Sequence, residues 1–211
     1  MTPSATLLTL GLVLTGCASS YTSNIADGFD PSNIGKRHIV LFRNSHLLAN
    51  TAMASNAFKS FAKDGITAKE FDHRFDSIFF RAVKGDAKMA GLRIDTTTSC
   101  DSLRSLPLAK NQGALRSILP KQFPNDSDLY LAVGMVTFDI DGQFNPGGGP
   151  IFLRARSTYV LYDPKLGTAV ADGQISVVSS SMLGHLITQS DWYSDARKTG
   201  DELISRLIEF R

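Results

Sequence analysis

Apolar positions along this chain follow two rhythms, and the alternation between them predicts its elements. Arg37–Arg43 (RHIVLFR) sets Ile39, Val40, Leu41 and Phe42 in succession, a run that suits a strand covered on both faces. From His46 to Lys63, Leu47, Thr51, Ala54, Phe58 and Phe61 recur at three- and four-residue steps, which places them on one helical face. Asn44 and Ser45 can cap that helix, Asp64-Gly65 ends it, and Ile66–Phe71 reads as a second short strand. Phe75–Leu92 fits a helix through Ile78, Phe79, Ala82 and Val83, or two strands about Lys84-Gly85-Asp86. Leu108–Leu119 predicts a helix stopped by Pro120.

The second half is more regular. Asp128–Phe138 (DLYLAVGMVTF) reads as a strand and Asp139–Pro150 as a flexible connection. Ile151–Tyr162 alternates Leu153, Ala155, Ser157 and Tyr159 with Phe152, Arg154, Arg156 and Thr158, a strand with one wetter face. Tyr162–Thr168 turns the chain, and Ala169–Ser179 returns as its neighbour. Ser190 or Asp191 caps a helix running to the C-terminus, with Trp192, Ala196, Leu203, Ile204, Leu207 and Ile208 on its packing face. These elements predict one α+β domain over residues 37–211: a mostly antiparallel sheet with helices packed on one side, a strand-helix-strand start and a C-terminal helix. Ala18–Lys36, rich in Ser, Asn, Asp and Gly, reads as a tether.

Ahead of the tether, Leu7–Thr15 (LLTLGLVLT) is apolar and uncharged, too short to span a bilayer as a helix. It runs into Leu14, Thr15, Gly16 and Cys17. This resembles the bacterial lipoprotein signal, in which a leucine stands three before a cysteine that becomes the acylated first residue of the mature chain. The resemblance implies that residues 1–16 are a signal peptide, that Cys17 carries lipid and that residues 17–36 form a lipid-anchored tether. Met1–Ala5 carry no Lys or Arg, where such a leader ordinarily begins with a basic segment. Ala18 occupies the place where an aspartate would imply inner-membrane retention in many Gram-negative bacteria. The implied location is therefore the outer membrane, with the domain facing the periplasm.

A second resemblance is one of layout. The turn in YDPKLGTAVADGQ and the closing helix DARKTGDELISRLIEF are similar to those of small periplasmic lipoprotein domains. The relatives in view are the N-terminal domain of the Tol-system translocation protein and the lipoprotein activators of peptidoglycan synthases. Its matching residues are folding features, so the resemblance implies a partner in the cell envelope and no catalytic residue.

Composition narrows the function classes. Forty-three per cent of the residues are apolar and 20% charged, a globular balance. The net charge of +2, from 22 basic and 20 acidic side chains, gives no basic cluster of the kind nucleic acid requires. With Cys17 acylated, Cys100 has no partner for a disulfide and reads as buried and inert.

Candidate chemistry is sparse. No G-x-S-x-G flanks a serine, Ser179–Ser181 included, and His38, His46, His73 and His185 stand singly. Glu70, Asp72, His73 and Asp76 are the densest set of possible metal ligands, expected at a strand end and the following turn. Asp139-Ile140-Asp141-Gly142 lacks the later ligands of a calcium loop, since Gly148 stands where the glutamate belongs. Gly147–Gly149 precede a strand instead of a helix and read as a hairpin tip, not a phosphate cradle. Arg154 and Arg156, with Lys84 or Lys88 nearby, are the candidate contact for a partner. The sequence thus points to a non-enzymatic interaction module that needs no catalytic residue, metal or cofactor. The alternative is a periplasmic hydrolase or metal-assisted enzyme whose site gathers Glu70, Asp72, His73, Asp76, His185 and Asp191 from a distance.

Overall fold

The computed structural model describes residues 23–42, 47–48, 65–97, 123–141, 152–178 and 189–211. Within them the elements run β1 (Asn24–Ile25), α1 (Asn33–Lys36), β2 (Ile39–Phe42), α2 (Ala68–Met89), β3 (Ile94–Thr97), β4 (Leu129–Val133), β5 (Thr137–Asp141), β6 (Phe152–Asp163), β7 (Thr168–Val178) and α3 (Gln189–Glu209). The strands form one sheet in the order β1-β7-β6-β4-β2-β3, with β5 also pairing to β6. β2 lies parallel to both β3 and β4, every other pairing between these strands is antiparallel, and an isolated parallel bridge joins Leu48 to Val136.

The strand-helix-strand opening is present as β2-α2-β3, but it is built from later residues than expected. Ile66–Phe71 is not a strand: the chain turns helical at Ala68, and the helix continues through Lys84-Gly85-Asp86. The cause is local. Thr67 and Glu70 form a reciprocal capping box, the Thr67 hydroxyl accepting from the Glu70 N–H while the Glu70 carboxylate accepts from the Thr67 N–H. Phe71, Phe75, Phe79, Val83 and Ala87 then fall four apart and line the buried face. Gly91, at φ +70°, ends the helix: its own N–H bonds to the Lys88 carbonyl and the Leu92 N–H to the Ala87 carbonyl, a Schellman stop.

In β6, Ala155, Ser157, Tyr159 and Leu161 are buried, with Ala155, Tyr159 and Leu161 in the core beneath the helices. Ile39, Leu41, Leu129 and Leu131 join them from β2 and β4. From α3 come Trp192, Ala196, Leu203, Ile204 and Leu207, each at most 1% exposed, whereas Ile208 is 41% exposed and faces away. Trp192 lies 4.2 Å from Phe138 and 5.7 Å from Phe71, centroid to centroid, so it locks α3 to both the sheet and α2. Each such burial contributes about 1.5–3 kcal/mol. The opposite sheet face carries a smaller cluster of Phe42, Tyr130, Ala132, Val160 and Ala169.

Three boundaries differ from the sequence reading. The stretch expected as one strand over Asp128–Phe138 is two, β4 and β5, which pair with successive halves of β6. Between them the Gly134 N–H bonds to the Thr158 carbonyl at 2.8 Å and the Gly134 carbonyl accepts from the Ser157 hydroxyl at 2.8 Å. β5 also claims Asp139–Asp141 from the expected connection. From residue 23 onward the expected tether belongs to the fold: β1 pairs with β7, and Phe29 and Ile34 are buried, Ile34 completely. The helices expected over His46–Lys63 and Leu108–Leu119 lie outside the described residues, apart from Leu47 and Leu48.

α2 and α3 approach closely at Gly200. A Cβ there would stand 2.9 Å from both the Ala82 Cβ and the Phe79 carbonyl oxygen. Gly200→Val is therefore expected to wedge the helices apart and cost about 1–3 kcal/mol. A thermal melt checks this, and an unchanged midpoint would show that the helices separate without strain.

Candidate functional site

Strand alternation fixes where the two candidate arginines point. With Ala155 and Ser157 turned inward, Arg154 and Arg156 project from the opposite face of β6, away from the helices. β5 sets Asp139 opposite Arg154 and Thr137 opposite Arg156, and β7 sets Val178 and Ser176 against them. The Arg156 Nε lies 3.4 Å from an Asp139 carboxylate oxygen, the two side chains being 47% and 52% exposed. An Arg154 guanidinium nitrogen donates to the Ser176 hydroxyl at 3.4 Å. The result is a row of two arginines on β6, flanked by β5 and β7, with the Asp139 carboxylate beside it. Such a row can give charge-assisted hydrogen bonds to an acidic group. Lys84 and Lys88 do not join it: they belong to α2, in the helical layer, and line a groove beside β3.

The acidic and histidine set is dispersed by the helix that carries it. Glu70, Asp72, His73 and Asp76 occupy the first turns of α2 instead of a strand end and turn. Glu70 is committed to the cap, and the Thr67 N–H and hydroxyl hold its carboxyl below the usual range. Asp76 points inward, 5% exposed, and accepts from the Leu47 N–H at 3.2 Å. His73 is exposed. Among the described residues no three His, Cys, Asp or Glu side chains stand where they could share a metal ion. Asp191 lies in the first turn of α3. His46, His185, Cys17, Cys100, Gly147–Gly149 and Ser179–Ser181 lie outside the described residues.

Two other concave regions were not legible beforehand. One, of about 460 Å³, runs along the β3 edge of the sheet. Its floor is Ala87, Leu92 and Ile94, and Lys84, Lys88 and Arg93 stand round it. His38 closes one side, with Nε2 3.0 Å from an Asp95 oxygen and Nδ1 3.4 Å from an Asp128 oxygen. The other, of about 360 Å³, lies between α2 and α3 and includes Arg81, Asp86, Arg197 and Asp201. Burial, and then the hydrogen bond to Asp86 and its charge, push the Asp201 carboxyl up, while Arg197 at 3.8 Å draws it back.

Among the described residues the most perturbed carboxyl is Asp195 in α3. Its side chain is fully buried and, among the described residues, neither oxygen has a hydrogen-bond partner; the Lys198 ammonium lies 3.9 Å away. Burial pushes this carboxyl up to about 7; Lys198 lowers it in part, and Asp191 adds a smaller upward push. A lone i, i+3 signal with a lysine gives no hint of such burial from sequence.

No family model matches the chain. No curated protein matches it. Among solved structures, the PelC L103M dodecamer from Paraburkholderia phytofirmans is 11% identical, with 88% of this chain and 98% of that chain covered and a TM-score of 0.37. A neuraminyllactose-binding hemagglutinin homolog from Helicobacter pylori is 8% identical, with 88% of each chain covered and a TM-score of 0.37. Likeness at this level carries no argument about fold, activity or assembly.

Proposed function

We propose that this chain is a lipid-anchored protein of the bacterial outer membrane whose periplasmic domain works by binding, as a non-enzymatic accessory of an envelope assembly. The membrane attachment is the acyl group on Cys17, prepared by Leu14, Thr15 and Gly16. Among the described residues no helix is long and apolar enough to cross a membrane. The observation that carries the binding reading is the Arg154–Arg156 row, held on paired strands and turned away from the helical layer. Anchoring would raise the effective concentration of that face near an anchored partner, so modest contacts suffice.

Two variants test the two halves separately. Cys17→Ser is expected to abolish acylation, read by intact mass of membrane-extracted protein; a parent mass with no acyl group and residues 1–16 retained would refute the anchor. Arg154→Glu with Arg156→Glu is expected to leave a cooperative thermal melt, since Arg156 is exposed, where substitutions usually cost under about 0.5 kcal/mol, and Arg154 is half-buried on the face away from the core. The same pair should weaken crosslinking to envelope proteins in native membranes. An unchanged crosslinking pattern would remove the arginine row from the contact.

A further inference from the structure

We propose that the β3 edge is a second binding site, which takes an acidic segment in extended conformation as an added strand. Among the described residues, β3 is the last strand of the sheet on its side and pairs only with β2. The parallel register sets Ile39 opposite Ile94, and the Ile39 N–H bonds to the Arg93 carbonyl at 2.8 Å. In a parallel ladder alternate residues serve one neighbour, so Arg93 and Asp95 serve β2. Ile94 and Thr96 accordingly direct their main-chain N–H and C=O groups out of the sheet, where an extended chain can meet them.

Charge selects the occupant. Lys84 and Lys88, one helical turn apart on α2, flank the edge from the helical layer, and Arg93 flanks it from the residue just ahead of β3. All three are exposed, Arg93 also donating to the Lys36 carbonyl, and among the described residues the one carboxylate of the groove, Asp95, is engaged by His38. An approaching strand therefore meets three cations above a floor of Ala87, Leu92 and Ile94, which favours acidic residues alternating with apolar ones. A second copy of this edge would bring the same cations together and is disfavoured. Lipid headgroups would answer the charges but leave the outward main-chain groups of Ile94 and Thr96 without partners.

The test uses the full chain and a fluorescent peptide of alternating aspartate and valine, with an alternating lysine and valine peptide as its counterpart. Anisotropy should show binding of the acidic peptide that weakens with salt, and Lys84→Glu with Lys88→Glu should weaken it about tenfold or more. Hydrogen exchange at the Ile94 and Thr96 amides should slow in the complex. If the charge reversal disturbs folding, Lys84→Gln with Lys88→Gln should give a smaller loss of the same sign. The proposal is overturned by no binding at millimolar peptide, by equal binding of the lysine peptide, or by binding that leaves both amides unprotected. It is overturned equally if those amides are protected by self-association, or by vesicles of phosphatidylglycerol and phosphatidylethanolamine in place of the peptide.

Discussion

Arg37→Met is expected to destabilise the domain by about 3–5 kcal/mol, the penalty for stranding one partner of a buried ion pair. Arg37 enters β2 with its side chain 14% exposed, and its guanidinium spans three separate parts of the chain. Nε donates to the Ser127 carbonyl at 2.8 Å, and one terminal nitrogen to the Asp128 carbonyl at 2.9 Å and the Asp126 carbonyl at 3.2 Å. Both terminal nitrogens grip the Asp163 carboxylate at the end of β6, one of them at 2.9 Å. Asp163 is itself 4% exposed and accepts from the Lys165 N–H at 2.9 Å, so it also shapes the β6–β7 turn. One side chain thus ties the start of β2 to the approach to β4 and the end of β6. Urea unfolding measures the loss. Arg37→Lys should recover only part of it, because an ammonium lacks the planar fork that meets a carboxylate on two sides. A loss under about 1 kcal/mol for Arg37→Met would show that the clamp is ornamental to folding.

Asp195→Asn is expected to change how stability depends on pH. The folded state raises this carboxyl from 3.8 to about 7, so it binds the proton more tightly than the unfolded chain does. The contribution is complete below about pH 4 and is lost as pH rises through about 7. A shift of this size corresponds to at most about 4 kcal/mol, at about 1.4 kcal/mol per unit. The asparagine variant carries no such dependence. Near pH 4 it should match its parent, and near pH 8 it should be the more stable of the two. Urea midpoints at pH 4, 6 and 8 decide this: parallel profiles for the two proteins would show that Asp195 titrates normally.

What the sequence made legible was the part whose pattern is long. β6, β7 and α3 each sustain one period for ten residues or more, and they stand nearly where the alternation places them. Short elements escaped. Phe29 sits in the connection after a two-residue strand and Ile34 in a four-residue helix, both among polar neighbours, where no period can show itself. α2 escaped for another reason. Its opening TAKEF offers a short strand-like run, yet it also holds the Thr-x-x-Glu signal of a helix start, and Gly85 within it is an exposed position. A glycine there costs about 1 kcal/mol, which the buried phenylalanine face outweighs. The arginine row was visible because alternation along one strand reveals a shared face. The groove beside β3 was not, because His38, Lys84, Lys88 and Arg93 converge only through the β2-α2-β3 crossover.

The early entry of the chain into the sheet shortens the leash. With β1 starting at Asn24 and Ser23 already held by the Tyr159 hydroxyl at 3.2 Å, at most residues 18–22 separate Cys17 from the described fold. Fully extended, that length of backbone covers about 20 Å. On the proposed anchor the domain therefore does not roam above the bilayer; its β1 side stays close to the headgroups. The β3 edge lies five strand spacings across the sheet, about 24 Å away. A partner for that edge would therefore be met across the width of the sheet from the anchor, not beside it.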